Sequence, residues 1–288
     1  VPHDLLRALA IFAVGLAAGT INTVVGSGTL ITFPTLLAFG YPPVLANVSN
    51  NVGLVPGVAS GVYGYRSELG GQRRRLIRLG SASVCGGLVG AILLLTLPQS
   101  AFKSIVPALI GLAVVMVIVQ PRLARWVAGR QRARAAAATP GGAGADRDGA
   151  GGSGDGGAGA VAVAAPPAAE EAIGGPVLWV LVFLAGIYGG YFGAAQGVLL
   201  IGMLGIALND SLQRVNAAKN VLAGLVNGLA AVVFILATHV DWGVAGLIAA
   251  GSIIGGQVGA RIGKRLPPWG LRVLIVCVGT VALIKLLA

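Results

Sequence analysis

Residues 19–51 read GTINTVVGSGTLITFPTLLAFGYPPVLANVSNN, and residues 186–220 read GIYGGYFGAAQGVLLIGMLGIALNDSLQRVNAAKN. The second stretch is a degenerate copy of the first. An offset of 167 pairs Gly19 with Gly186 and Gly26 with Gly193. Further on, an offset of 169 pairs Gly28 with Gly197, Asn47 with Asn216 and Asn51 with Asn220, which predicts a two-residue insertion in the second glycine-rich turn. A polar, glycine-rich break that recurs inside apolar sequence is the pattern of a membrane transporter built from repeats.

The surrounding composition agrees. The 288 residues are 56% hydrophobic and 10% charged, with mean hydropathy +0.88. A soluble domain cannot cover that much apolar surface, so the chain reads as an all-α polytopic membrane protein. The net charge of +11 comes from basic clusters between apolar segments. This is the positive-inside pattern of cytoplasmic loops, and nucleic acid is not the expected partner. Cys85 and Cys277 lie far apart in apolar segments, and they read as small buried residues outside any disulfide or metal site. The opening apolar segment reads as a membrane segment that is not cleaved.

Five apolar segments, roughly 5–25, 28–41, 44–65, 77–97 and 101–120, precede a polar centre, and five more follow at roughly 177–194, 197–208, 212–238, 243–260 and 270–287. The second segment of each set covers only about 20 Å as a helix, too little for a hydrocarbon core of about 30 Å. Each must be re-entrant, tilted or half of a broken helix, with its ends in protein or water. Arg66, Arg73, Arg74, Arg75 and Arg78 form one basic loop, and Arg122, Arg125, Arg130, Arg132 and Arg134 follow the fifth segment. Arg261, Lys264, Arg265 and Arg272 form a third cluster, and all three are expected in the cytoplasm, with His239, Asp241 and Trp242 outside. The number of crossings per half is then odd, so two inverted-topology repeats are expected. Each opens with a broken or re-entrant helix pair followed by three transmembrane helices. The division is an N-terminal repeat at 1–120, a basic then Ala/Gly-rich cytoplasmic linker at 121–176, expected to be flexible, and a C-terminal repeat at 177–288.

Few residues can carry chemistry. Lys219 falls within an apolar segment, and the first repeat has Asn50 in its place. A lysine there costs about 2.5–3.5 kcal/mol on insertion scales, so it is expected to face a cavity or a partner, Asp210 or a bound anion, with snorkelling to a membrane interface as the alternative. Asn47 with Asn51, and Asn216 with Asn220, are each four residues apart and share a helix face. Their carboxamides either donate to an oxyanion or hold neighbouring helices together. Gly26-Ser27-Gly28 and Gln196-Gly197 stand before the short segments, where free backbone N–H groups at a helix start suit an anion. Gly186, Gly189, Gly190 and Gly193 read instead as packing glycines. The sequence has no phosphate-binding loop of the G-x-x-x-x-G-K-[ST] type, and His3 and His239 are its only histidines. No metal site, cofactor or enzyme activity is expected, and Ser27 lacks an activating histidine.

With these residues in view, the chain resembles the sulfite exporter TauE/SafE family of membrane permeases. The resemblance lies in the duplicated break, the short helix ending in Gly40-Tyr41-Pro42-Pro43, the Ala46-Asn47 start of the next helix, and the charged linker between halves. It departs from the family pattern at Ala194-Ala195-Gln196-Gly197, where a glycine-rich turn is expected. It implies transport of a sulfur oxyanion or organosulfonate across the cytoplasmic membrane, with a passive small-anion channel as the alternative. The expected substrate-binding set is Gly26, Ser27, Gly28, Asn47, Asn50, Asn51, Gln196, Gly197, Asn216, Lys219 and Asn220. The expected partners are a small anion and the lipid bilayer, with a homo-oligomer as a further option.

Overall fold

A computed structural model describes residues 2–137, 175–208, 210–262 and parts of 273–283. Most of the linker, together with Lys264, Arg265 and Arg272, lies outside the described residues. Among the described residues all regular structure is helical. The first half contains α1 (Pro2–Val24), α2 (Thr29–Ala38), α3 (Pro43–Gly64), a short 3-10 turn (Arg66–Leu69), α4 (Arg73–Thr96) and α5 (Gln99–Ala137). The second contains α6 (Pro176–Tyr191), α7 (Gln196–Ala207), α8 (Leu212–Ala237) and α9 (Trp242–Ile262), with further helical residues within 273–283. Asp4–Val24, Arg73–Thr96, Gln99–Arg122, Leu212–Ala237 and Trp242–Arg261 are long and apolar enough to cross a membrane. The helix α3 is of similar length but carries Asn47, Asn50 and Asn51. The basic stretch from Pro121 to Ala137 continues α5 as helix.

Glycine and proline punctuation explains the short helices. A positive φ at Gly26 (+87°) turns the chain out of α1, and another at Gly40 (+84°) ends the return. Pro42 then caps α3 and Pro43 opens it, where a missing N–H costs nothing. The second break uses Gly193 (φ +76°) and then Ala195 at φ +61°. Alanine in that region carries roughly 1–2 kcal/mol of strain.

These boundaries correct the placing of the insertion. The turns are equally long, since α2 starts at Thr29 and α7 at Gln196, 167 residues later. The two additional residues lie in α7 itself, which has 12 residues against 10 in α2. Gly28 and Ala195 therefore occupy the same N-cap position, and Gln196-Gly197 begin the helix and do not precede it.

Each opening pair is a hairpin that returns to the end from which it started. Arg7, near the start of α1, donates to Phe39 O at 2.9 Å and lies over the rings of Phe39 and Tyr41. In the second half, Leu178 near the start of α6 and Leu208 just after α7 share one apolar cluster with Leu79 and Val215.

The halves then exchange partners. The first helix of each half packs along the fourth helix of the other, α1 on α9 and α6 on α4. Small residues make this close approach: a methyl on Gly19 or Gly255 would overlap backbone across α1–α9, and one on Gly90 or Gly190 would do so across α4–α6. The helices α3 and α8 pack on each other between these pairs. Outward faces carry exposed apolar side chains such as Leu112, Val115, Leu236 and Ile254, as a lipid-facing surface requires. Cys85 and Cys277 are free and exposed, contrary to the expectation of burial; an apolar helix in lipid turns apolar residues outward as readily as inward.

Candidate functional site

The two breaks meet. Gly197 N–H donates to Gly26 O at 3.1 Å, and a methyl on either glycine would overlap the backbone of the other. Only glycine permits this contact, because no side chain fits between the two hairpin tips. Gly193 belongs to the turn, whereas Gly186 and Gly190 pack against the α4 backbone, as expected of packing glycines.

A cavity opens beside the junction, lined by Asn22, Gly26, Thr29, Gln196, Gly197, Lys219, Asn220 and Asn227 among others. The space open to the centre of a water molecule is about 10 Å³, room for about one water. Five of the residues expected at the site therefore line one cavity: Gly26, Gln196, Gly197, Lys219 and Asn220.

Lys219 is 1% exposed. Its Nζ donates to Asn22 O at 2.9 Å and to Thr23 O at 3.3 Å, the last carbonyls of α1. Asn216 Nδ2 (3.2 Å) and Asn220 Nδ2 (3.4 Å) also reach Thr23 O. The carbonyls at a helix C-terminus have no partner within the helix and carry partial negative charge, so three side chains of α8 satisfy the broken end of α1. The mirrored contact exists in the other half, where Asn47 Nδ2 donates to Tyr191 O at 3.1 Å, at the end of α6. Asp210 is not the partner of Lys219. It is held by Arg75 at 2.7 Å and Arg214 at 2.6 Å, at the end where α4 and α8 begin.

Four of the backbone N–H groups expected to be free are engaged. Gly26 N donates to Ile21 O, Gln196 N to Gly193 O and Gly197 N to Gly26 O, while Gly28 N donates to Asn22 Oδ1 at 3.1 Å. Open donors at the cavity come from side chains instead. Gln196 Nε2 is buried without a partner, and an ammonium has three N–H bonds, of which two meet α1. Asn50 Nδ2 reaches Thr29 Oγ1 at 3.4 Å. Ser27 Oγ and the Oδ1 atoms of Asn50, Asn51 and Asn216 are buried without partners. Ser27, Gly28, Asn47, Asn50, Asn51 and Asn216 stand around the junction without lining the cavity.

Sequence reasoning missed Asn22. It lies inside the opening quotation, and its counterpart in the second copy is Gly189, a polar-to-glycine exchange that was the available signal. Over Gly189 the vacated space is filled by the carboxamide of Gln196. Tyr188 adds a hydroxyl hydrogen bond to Ala194 O, which holds the second turn.

Paired hairpins meeting over a buried lysine, among helices long and apolar enough to cross a bilayer, are the frame of a multi-pass membrane protein. The sulfite exporter TauE/SafE family matches residues 11–286, and the chain belongs to that family. It is similar to a probable membrane transporter protein of Haemophilus influenzae, 25% identical over 90% of this chain and 85% of that protein. It is also similar to the probable membrane transporter protein YfcA of Escherichia coli K12, 23% identical over 96% of this chain and 88% of that one. A shorter match, 27% identical over 35% of this chain and 38% of the relative, joins it to the probable membrane transporter protein ORF9 of a Sinorhizobium species. No solved structure matches.

Proposed function

We propose that this chain is a secondary transporter that carries a small sulfur-containing anion, sulfite, an organosulfonate or a similar species, across the cytoplasmic membrane by alternating access. The observation that carries this reading is Lys219: a buried ammonium on a cavity wall whose hydrogen bonds, among the described residues, go to two neutral carbonyls. A buried charge needs a countercharge, and a small anion at the cavity supplies one. Gln196 Nε2 adds an unsatisfied donor on the same wall. In this reading Gly26, Gly197 and Asn220 shape the cavity and Asn47, Asn50, Asn216 and Gly28 hold the hairpin tips, while Ser27 and Asn51 keep buried, unpartnered oxygens. The sulfur chemistry is taken from the family name and the anion preference from the site.

The reading also has the two halves inverted. In support, α1 starts at the end where Arg7 meets Phe39, and α6 starts at the opposite end, near Leu79 and Val215. That second end carries Arg73, Arg74, Arg75 and Arg78, and in this reading it faces the cytoplasm. The cavity has room for about one water, less than sulfite needs, so in this reading the hairpin tips move apart to admit the anion.

The test is thermal stability of the purified protein with sulfite, sulfoacetate, thiosulfate, sulfate and chloride as sodium salts at matched ionic strength. A ligand of the folded state raises the transition with the logarithm of its concentration. The expected result is a selective rise with a sulfur anion, absent in Lys219→Met. Equal responses to all five anions would refute sulfur selectivity.

A further inference from the structure

We infer that the Lys219 ammonium is a tethered replacement for a coupling cation, so that this transporter binds its anion without sodium. The inference rests on the reading of the cavity as an anion site, and it concerns what stands behind the anion.

In transporters built from repeats with broken helices, the C-terminal end of a half-helix is where a free Na⁺ is coordinated, because its carbonyls point outward unpaired. Here that place is filled by the protein itself. Lys219 Nζ sits on Asn22 O and Thr23 O at 2.9 and 3.3 Å. Thr23 O also accepts from Asn216 and Asn220, and with the ammonium in place neither carbonyl is open to a metal ion. The ammonium is held in place by its stem, since Lys219 Cδ lies against Gly197, where an added methyl would come within 2.9 Å. The glycine that lets the hairpin tips touch therefore also makes room for the lysine chain.

The other half shows the alternative. Asn50 occupies the position equivalent to Lys219, and the end of α6 is met by the neutral amide of Asn47 at Tyr191 O. The positive charge is thus supplied once, on the α1 side. An anion facing the third N–H of Lys219 would pair with a fixed cation and need no mobile one. Replacing Lys219 with serine would empty the ammonium position beside Asn22 O and Thr23 O and leave it open to Na⁺ and water.

The experiment compares thermal unfolding of the full-length protein in detergent with sodium gluconate against choline gluconate at equal ionic strength, for wild type and Lys219→Ser. Wild type is expected to unfold at the same temperature in both salts. Lys219→Ser is expected to unfold earlier in choline and to recover with sodium in a saturable way, by about 2–4 °C. A saturable sodium-specific rise in wild type would overturn the inference, and that arm is readable even if the variant does not fold. A folded Lys219→Ser with no sodium response would overturn it as well. Neither arm contains a sulfur anion, so failure of the substrate assignment above leaves this result standing, and the reverse holds too.

Discussion

The two hairpin tips are built on one plan and filled with different residues. At the first tip, Asn22 closes the turn by accepting from Gly28 N, and Thr29 meets Asn50. At the second, the counterparts are Gly189, Gln196 and Lys219. There the long Gln196 side chain lies over the bare glycine, and the ammonium reaches across to the first half. The first tip is neutral, and its unpartnered atoms, Ser27 Oγ and Asn50 Oδ1, lie off the cavity. The second tip carries the charge and the open donor. On the proposed reading, a near-symmetric frame with one asymmetric charge would give a single anion a defined place, where two equivalent charges would compete for it.

The largest expected effect separates Gly26 from its counterpart Gly193. Gly26→Ala should destabilise the protein by about 3 kcal/mol or more, because its methyl overlaps the Gly197 backbone as well as straining a positive φ. Gly193→Ala should cost about 1–2 kcal/mol, since its nearest neighbour beyond the turn, Gly189 O, would lie at 3.1 Å. Denaturation of both variants in one detergent measures the difference, and equal losses would break the claim that the tips differ in closeness.

Next comes the charge. Lys219→Met should weaken anion binding about 10–100-fold, the loss of one charge-assisted hydrogen bond, whereas Asn50→Leu should leave binding within about threefold. Isothermal titration with the anion that stabilises wild type distinguishes them. Comparable losses would mean that both tips contact the anion.

A smaller effect tests the exchange of Asn22 for Gly189. Gly189→Asn alone should destabilise, because Gln196 fills the space it needs. Adding Gln196→Thr should recover part of the loss, with a coupling of about 1–2 kcal/mol in a double-mutant cycle. Additive losses would show that the two residues are not alternative fillings of one space.

The smallest effect compares the helix-end amides. Asn47→Ala removes the side-chain donor to Tyr191 O and should cost about 1–2 kcal/mol. Asn216→Ala leaves Thr23 O with Lys219 and Asn220 and should cost less than about 1 kcal/mol. Thermal denaturation of the pair ranks them, and a reversed order would contradict the sharing of Thr23 O.

The break positions and the pairing of Asn47 with Asn216 and of Asn50 with Lys219 were legible because glycine, proline and buried polar residues punctuate apolar sequence sharply. The placing of the insertion was not. Matching glycine to glycine set Gly28 against Gly197, whereas Ala195 holds the equivalent N-cap in a left-handed conformation that alanine rarely adopts. Residue identity marks a positive φ only where glycine supplies it. The asparagines were read as an amide frame with each pair on one helix face, but the acceptors of Asn47 and Asn216 are carbonyls of the opposite half, and contacts across more than a hundred residues leave no local pattern. Asn22 was passed over because it sits before the glycines and not among them.

The contact of Gly26 with Gly197 has a consequence for leakage. At this crossing the barrier between the two ends of the molecule is main chain on main chain. Trimming nearby side chains cannot open a path through it, and a larger residue at either glycine forces the tips apart instead of sealing them. In the proposed transport cycle passage would therefore come from movement of whole hairpins. Each tip is the other's stop, so on that reading displacing one would release the other and link the two entrances.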